Sequence, residues 1–366
     1  MLILGLITTA WVVLAILTSM LTPRNTRSVM ARVVSAVVQR LAELPLRLFR
    51  TYDAQDRWLA GVAPVIVLLQ LIVYAIALIV TLGLIVYGST ELTWPQAFYQ
   101  SGATFTTLGI VEPVNDVSAV VTFVAAFLGL VVIAVFIGYL LAIYGAFIGR
   151  ESLMARLATE AGEPAWGPEI LVRGHLLRAD PQQVPNCDTW TDWACQVRTG
   201  QGVMPVLGHF RSTSSSRHWV VSLLAVLDAA ALQCALDPER ADAAHVRLLT
   251  EGSLTLAILS GAQRASRHNW QTELAIQRAL GSNEGTLAGS RLTHEEWTVG
   301  SDHLVANGVA TGEELEAACG RFSAVRQLYV EPAMLLARKL HAVPAPWSGA
   351  RVPALPVMFP ELASRS

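Results

Sequence analysis

The chain has 366 residues, of which 53% are apolar and 15% are charged, and its mean hydropathy is +0.46. This composition excludes a wholly soluble protein and indicates that part of the chain lies in lipid. A net charge of −2 without a basic block excludes general nucleic-acid binding, because phosphates are neutralised by concentrated Lys and Arg. Most charged residues follow Gly149. We therefore expect a region in lipid to be joined, near residue 150, to a region in water.

Three segments are long and apolar enough to cross a hydrocarbon core of about 30 Å, which takes roughly 20 helical residues. They are residues 2–22, 62–88 and 117–148, none of which contains a charge. The first has no preceding basic residues and no clear cleavage site, so it is predicted to be a retained anchor (1–22) rather than a signal peptide. An all-α membrane protein is therefore expected.

The loops flanking the second span differ in charge. Seven arginines and three acidic residues lie between the first and second spans, whereas Glu91, Glu112 and Asp116 are the only charged residues between the second and third. Positive residues favour the cytoplasmic side, which places the N-terminus outside and everything after Gly149 in the cytoplasm. The predicted location is the inner (plasma) membrane, crossed several times.

The arginine segment, residues 23–61, is itself patterned. Apolar residues recur every three or four positions, and Arg32, Arg40 and Arg47 lie largely off that stripe. Such a helix could lie in the headgroup layer, with residues 24–57 facing anionic lipid. It could equally be a cytosolic helix packed on the second half of the chain.

The acidic loop between the second and third spans is too apolar for an exposed turn. Thr93 and Pro95 predict the start of a short helix that runs to about Phe105. The residues that follow, Thr106 to Glu112, are predicted to be extended and are bounded by Pro113. This pattern predicts a re-entrant segment over 93–113, which enters the membrane and returns to the same side. Together with the spans 62–88 and 117–148, it forms a predicted pore module over 62–149.

This arrangement resembles the pore module of the two-transmembrane potassium-channel superfamily, of the bacterial type, whose filter motif is Thr-Val-Gly-Tyr-Gly followed by Asp. Five residues occupy the filter positions: Thr107, Leu108, Gly109, Ile110 and Val111. The resemblance implies a homotetramer in which main-chain carbonyls replace the water shell of a permeant potassium ion. Ile110 and Val111 depart from the motif, which puts potassium selectivity in doubt.

Two further features belong to this hypothesis. Glu112 occupies the acidic position, and with Asp116 it would concentrate cations at an outer vestibule, unless both are simply solvated loop acids. Gly129 lies where the family has a gating bend, although a small residue there could equally serve close helix packing. The expected function is monovalent cation conduction, and the alternative is a non-conducting membrane-anchored sensor or scaffold.

No enzyme is predicted, because the sequence contains no phosphate loop, no HExxH and no Gly-x-Ser-x-Gly. Cofactor and metal sites are likewise not expected. The four cysteines all lie in the second half and form no CxxC pair, which favours a reduced cytosolic setting over a disulfide scaffold: Cys187, Cys195, Cys234 and Cys319.

After a helical continuation to about residue 161, the predicted linker (150–186) has little regular structure. An all-α cytoplasmic domain is predicted over 187–343, with an irregular tail over 344–366. Its expected helices cover 188–199, 217–236, 238–263, 268–281, 293–308 and 312–342. The segment Trp219 to Leu236 is interpreted as a buried core helix rather than a fourth span, with Asp228 paired inside the core or at a subunit contact. Ser214 to Ser216 are expected to cap this helix. The loop from His209 that precedes it is either an anion-binding site or a polar loop without a ligand.

Overall fold

The computed structural model of the protein describes residues 1–21, 28–177, 184–261 and 269–351. Within these ranges the chain is helical and contains no strand, which confirms the all-α prediction. The helices of the first part are α1 (Leu2–Met20), α2 (Val29–Glu43), α3 (Tyr52–Ala60), α4 (Val62–Ser89), α5 (Trp94–Phe105) and α6 (Asp116–Ala161). Those of the second part are α7 (Gly167–Leu176), α8 (Cys187–Val203), α9 (Trp219–Leu236), α10 (Ala243–Ser260), α11 (Asn269–Leu280), α12 (His294–Ala306), α13 (Gly312–Arg326) and α14 (Val330–Lys339).

The chain divides into two compact units. The first consists of residues 1–46, 60–146 and 202–207, and the second of residues 47–59, 147–201 and the described residues from Gly208 on. Among the described residues, four stretches of helix are long and apolar enough to cross a membrane. They are α1, α6, α9 and the stretch Tyr52–Ser89, which ends with α4. The three predicted spans coincide with α1, α4 and α6.

Glycines allow the helices of the first unit to approach closely. The Cα of Gly5 in α1 lies so near α4 that a Cβ there would be 2.8 Å from the Ile85 nitrogen, and a Cβ at Gly88 would overlap the backbone of Leu2. In lipid, where burial of apolar surface gives little association energy, such contacts let dispersion and backbone packing hold helices together. The Tyr74 hydroxyl adds hydrogen bonds to Ser19 (2.8 Å) and Ser28 (2.6 Å).

The arginine segment forms two helices that belong to different units. Helix α2 packs on α4 in the first unit. Helix α3 packs in the second unit, where the Tyr52 hydroxyl donates to the carbonyl of His341 at 3.0 Å and Asp53 accepts from Ser215 at 2.5 Å. The patterned helix for which packing on the second half was the alternative is α2, and within the described residues α2 packs on α4 instead; α3 follows that pattern in the chain.

Helix α9 is the centre of the second unit. All but two of its residues are buried, as predicted for a core helix. Asp228, in its middle, is paired with Arg326 (2.9 Å) and accepts a hydrogen bond from the Tyr329 hydroxyl (2.9 Å). The expected internal pairing of Asp228 is confirmed. All four cysteines are free thiols.

Within the predicted linker 150–186, the helical continuation to about residue 161 is confirmed by the end of α6. The prediction of little regular structure from there to Pro185 is wrong, because α7 lies in this stretch and packs on α9. Pro168 sits in the first turn of α7, where proline initiates a helix rather than interrupting one. Gly167 permits close contact, since a Cβ there would lie 2.8 Å from the Cβ of Asp228. Residues 178–183 of the predicted linker lie outside the described residues.

Three predicted helix boundaries also need correction. The stretch 238–263 begins as a 3-10 turn, and α10 starts only after Asp242, whose carboxylate accepts from the Ala244 and His245 nitrogens. The stretch 312–342 is interrupted at 327–329 between α13 and α14. The cap of α9 is not the serine run but His218, whose Nδ1 accepts from the Val220 nitrogen at 3.2 Å.

The described part of the tail is irregular but not loose. Trp347 is buried, its Nε1 donates to the Glu296 carbonyl at 2.9 Å, and its own carbonyl accepts from Arg326. Gly300 makes room for the indole, because a Cβ at that position would overlap it. Residues 352–366 of the predicted tail lie outside the described residues.

Candidate functional site

Helix α5 begins where the sequence predicts. The Thr93 nitrogen donates to Gln96 Oε1 at 3.0 Å in a capping box, and Pro95 lies in the first turn. Both features satisfy or remove backbone donors that a helix start leaves unpaired. The helix ends at Phe105, so the predicted short helix after Thr93 is confirmed.

Contacts with α4 fix the position of α5. The Ser101 hydroxyl donates to the Ile79 carbonyl at 2.8 Å, and the backbone of Phe98 lies so close to Gly83 that a Cβ there would be in ordinary van der Waals contact with it, 3.4 Å from the Phe98 Cα. At the start of α5, the Trp94 ring stands edge-on to Tyr87 with centroids 6.0 Å apart. Ser101 was not predicted as a contact residue, since a lone serine in an apolar helix gives no local signal of its partner.

A Schellman motif ends α5. The Leu108 nitrogen donates to the Ala103 carbonyl (2.8 Å) and the Thr107 nitrogen to the Thr104 carbonyl (2.9 Å), while Thr107 has a φ of +59°. This left-handed position is ordinarily taken by glycine, and a β-branched residue is strained there. The prediction that the extended strip starts at Thr106 is therefore wrong, because Thr106 and Thr107 close the helix.

The non-helical strip proper runs from Leu108 to Val111. Gly109 has a φ of +64°, so positive values at Thr107 and Gly109 flank Leu108, whose φ is not positive. Two left-handed positions separated by one residue are incompatible with a regular β-strand, whose residues all have negative φ. The side chains of Leu108 and Ile110 are 63% and 60% exposed, and a Cβ on Gly109 would meet no atom within 4 Å.

The segment after the strip is tied to the end of α4. Asn115 caps α6, because its Oδ1 accepts from the Ser118 nitrogen at 2.8 Å, and its amide donates to the Ser89 carbonyl at 2.9 Å. Asn115 was not predicted as a cap, although Asn followed three residues later by Ser before an apolar run is a capping pattern. Glu112 and Asp116 lie at the surface beyond the strip, and Asp116 begins α6.

Gly129 lies within the continuous helix α6 and faces the end of α5. A Cβ at this position would overlap the Phe105 carbonyl oxygen, whereas one at Gly138 or Gly145 would meet nothing within 4 Å. The contact supports the packing role that the sequence analysis kept open. A hinge role for Gly129 stays a prediction.

The polar loop from His209 to Arg217 is bound to acidic residues of its own unit. The hydroxyl of Ser212 donates to Glu151 at 3.1 Å, that of Ser214 donates to Glu163 at 2.6 Å, and the Arg217 guanidinium pairs with Glu163. Beside it, a small cavity of about 10 Å³, enough for about one water molecule, has Glu163, Arg217 and His218 in its wall. Because the two charged side chains of this cavity neutralise each other, the loop is better described as polar packing than as an anion site.

Comparison with protein-family models, with curated proteins and with solved structures found no match. Among the residues that the structure describes, no three His, Cys, Asp or Glu side chains are grouped so that they could hold a metal ion. Function must therefore be inferred from the strip and the helices that position it.

Proposed function

We propose that the chain is one subunit of a homotetrameric channel for monovalent cations, with potassium as the expected ion. The main-chain carbonyls of the Thr107–Val111 strip would coordinate the dehydrated ion, as rings of carbonyls do in selectivity filters. The observation that carries this proposal is the segment Leu108–Val111, which is uncovered and non-helical, has positive φ at Gly109 and follows the left-handed Thr107. It is placed directly after a capped 12-residue helix and between two apolar helices.

Four copies are required because a single strip offers oxygens from one direction only. The exposure of Leu108 and Ile110 is consistent with this, since apolar side chains at this position need cover from lipid or from further copies. Helix α5 would contribute as well, because its C-terminal end carries the negative end of the helix dipole and faces the start of the strip.

The acidic residues fit the same function. Four copies each of Glu112 and Asp116 around the mouth would raise the local concentration of cations, an effect that weakens as ionic strength rises. Potassium is then the transported ion rather than a cofactor. The topology with an external N-terminus and a cytoplasmic second unit belongs to the same proposal.

The test is rubidium uptake into liposomes that contain the purified full chain. Gly109→Ala should abolish uptake, because alanine resists the left-handed conformation that the strip requires at this position. Gly138→Ala is the matched control. Both glycines have open space where an added methyl group would lie, but Gly138 is in a helix, where alanine is favoured, so uptake should be unchanged.

Equal uptake by the parent and both variants would show that ions do not pass along the strip. Absence of uptake in all three, with the proteins correctly inserted, would instead favour the membrane-anchored sensor or scaffold. The oligomeric state in detergent provides an independent check, because a strict monomer cannot form a ring of carbonyls.

A further inference from the structure

Helix α2 has two apolar faces, and only one of them is covered by the described part of the chain. Ala31, Val34, Val38 and Ala42 are buried, and the helix packs on α4. A second row recurs at intervals of three or four residues and is exposed in the structure: Val29, Val33, Val37, Leu41 and Leu44. Val33 is 54% exposed and Leu44 is 74% exposed.

The remaining third of α2 is polar. At about 100° per residue, the exposed apolar row and the buried row are adjacent and together span more than half of the helix circumference. Arg32, Ser35, Gln39 and Glu43 occupy the rest, whereas Arg40 projects within the exposed apolar row, between Val29 and Val33. An exposed apolar row beside a charged face is the pattern of a helix that lies in the plane of a membrane surface.

The charge of this part of the chain favours an anionic surface. Residues 24–47 contain five arginines and one acidic residue, Glu43. The next two acidic residues, Asp53 and Asp56, are engaged by Ser215 and Arg211 inside the second unit. Arg32 and Arg40 are exposed on α2, and Arg40 lies within the exposed apolar row, from which its long side chain can reach headgroups.

We infer that the exposed row of α2 is a lipid-binding surface that inserts at the boundary between headgroups and acyl chains of an anionic leaflet. Its neighbour α4 is among the helices apolar enough to cross a membrane, so the surface is continuous with a segment that itself contacts lipid. Arg32 and Arg40 then hold the helix to anionic headgroups. This inference does not depend on ion conduction, and no step of its test measures flux.

The depth of α2 can be measured with an environment-sensitive fluorophore on a single cysteine. Val33→Cys places the probe on the exposed apolar row and Ser35→Cys places it on the polar face, in full-length protein whose half-buried Cys195 and Cys319 are replaced by serine. In liposomes that contain phosphatidylglycerol, the probe at residue 33 should emit at shorter wavelength and be quenched by nitroxide-labelled lipid. The probe at residue 35 should instead be quenched by iodide from the aqueous phase.

The preference for anionic lipid is tested with the same probe at residue 33. Quenching by brominated phosphatidylglycerol is compared with quenching by brominated phosphatidylcholine in Arg32→Gln and Arg40→Gln variants. Each substitution should lower the preference by about fivefold at low salt, the equivalent of roughly 1 kcal/mol per arginine near the surface. Arg278→Gln, an exposed arginine of α11 in the second unit, should leave the preference unchanged.

Three outcomes would overturn the inference. Strong iodide quenching at residue 33 would place the apolar row in water. Protection of residue 33 from both iodide and labelled lipid would show that protein, such as a second copy of the chain, covers it. An unchanged lipid preference after both arginine substitutions would exclude recognition of anionic headgroups.

Discussion

The guanidinium of Arg326 lies 2.9 Å from the carboxylate of Asp228 in the centre of the second unit, and both side chains are almost wholly removed from solvent. The same guanidinium donates to the carbonyls of Ser290 and Trp347, and so connects α13 and α9 with two non-helical segments. Such a pair stabilises little relative to apolar packing, but loss of one member leaves a buried charge without compensation.

Arg326→Met should therefore destabilise the second unit by about 3–5 kcal/mol, whereas Asp228→Asn with Arg326→Met should recover part of the loss. Thermal unfolding of the purified protein in detergent, followed by circular dichroism, measures the effect. The matched control is Arg247→Met, whose partner Asp188 is exposed; this substitution should cost less than about 1 kcal/mol. Equal losses for the two arginine variants would contradict the role given to Arg326.

A second ion pair joins α3 to the loop that precedes α9. Arg211 Nη1 lies 3.4 Å from Asp56 Oδ1 and also donates to the His341 carbonyl at 2.9 Å. Burial raises the pKa of Asp56, and Arg211 opposes that rise. Arg211→Met should therefore lower the melting temperature at pH 7.5, because Asp56 would remain charged and partly buried without its partner.

The pH dependence of this variant provides the decisive measurement. A carboxyl group whose pKa is higher in the folded than in the unfolded chain stabilises the fold as pH falls through the folded value. The difference in melting temperature between Arg211→Met and the parent should consequently narrow between pH 7.5 and 5. The melting temperature of the double variant Arg211→Met, Asp56→Asn should differ from that of the parent by an amount that no longer narrows with pH. If the difference still narrows as pH falls, groups other than Asp56 cause it.

The burial of His218 should make the stability of the second unit sensitive to acid. Burial, and then the positive charges of Arg211, Arg150 and Arg351, hold the pKa of His218 well below its ordinary value. The unfolded chain takes up a proton near pH 6.5 and the folded chain does not, so the unfolded state binds more protons as pH falls. Stability contributed by neutral His218 is present above about pH 6.5 and is lost below it, by up to about 1.4 kcal/mol per pH unit.

The substitution His218→Asn should reduce this acid sensitivity, because asparagine keeps a capping acceptor at the start of α9 without titrating. Melting temperatures of the parent and the variant between pH 7.5 and 5.5 provide the comparison. His294→Asn, an exposed histidine at the start of α12, is the control and should follow the parent. If the melting temperatures of His218→Asn and the parent fall in parallel with pH, His218 does not cause the acid sensitivity.

The features that the sequence predicted depend on short-range patterns. Charge-free runs predicted α1, α4 and α6, and Thr93 with Pro95 predicted the start of α5, since a cap is formed by residues a few positions apart. Asp228 within an apolar segment predicted a buried pair, because an unpaired carboxylate is too costly in a core.

The features that it missed depend on distant residues. Nothing near Asp228 identifies Arg326, which is 98 positions away, and nothing near Ser101 identifies the Ile79 carbonyl. Helix α7 was missed because Gly167 and Pro168 usually mark loops; here Pro168 starts the helix and Gly167 is explained by its close packing on α9. At the strip, the left-handed Thr107 contradicts the ordinary preference of threonine, so local propensity predicted an extended chain instead.

The two residues that depart from the potassium-channel motif allow a direct test of the strip alignment. Val111→Gly together with Ile110→Tyr should sharpen the discrimination of potassium over sodium, because glycine permits carbonyl orientations that a β-branched residue resists. Reversal potentials in planar bilayers under bi-ionic conditions measure the permeability ratio. Val114→Gly, an exposed position beyond Pro113, is the control. Unchanged ratios in the double variant would show that the aligned positions do not line the ion path.

Substitution of Gly129 distinguishes a role in helix packing from a role as a gating hinge. A Cβ at this position would overlap the Phe105 carbonyl, so Gly129→Ala should force α6 away from the end of α5 and destabilise the first unit, by on the order of 1–3 kcal/mol. Gly145→Ala, in the same helix with open space around the Cβ, should leave stability unchanged or slightly raised. Thermal stability in detergent, measured by loss of the monodisperse elution peak, distinguishes the two variants. If Gly129→Ala alters gating kinetics while its melting temperature equals that of Gly145→Ala, the glycine serves as a bend and the close contact with Phe105 is not what requires it.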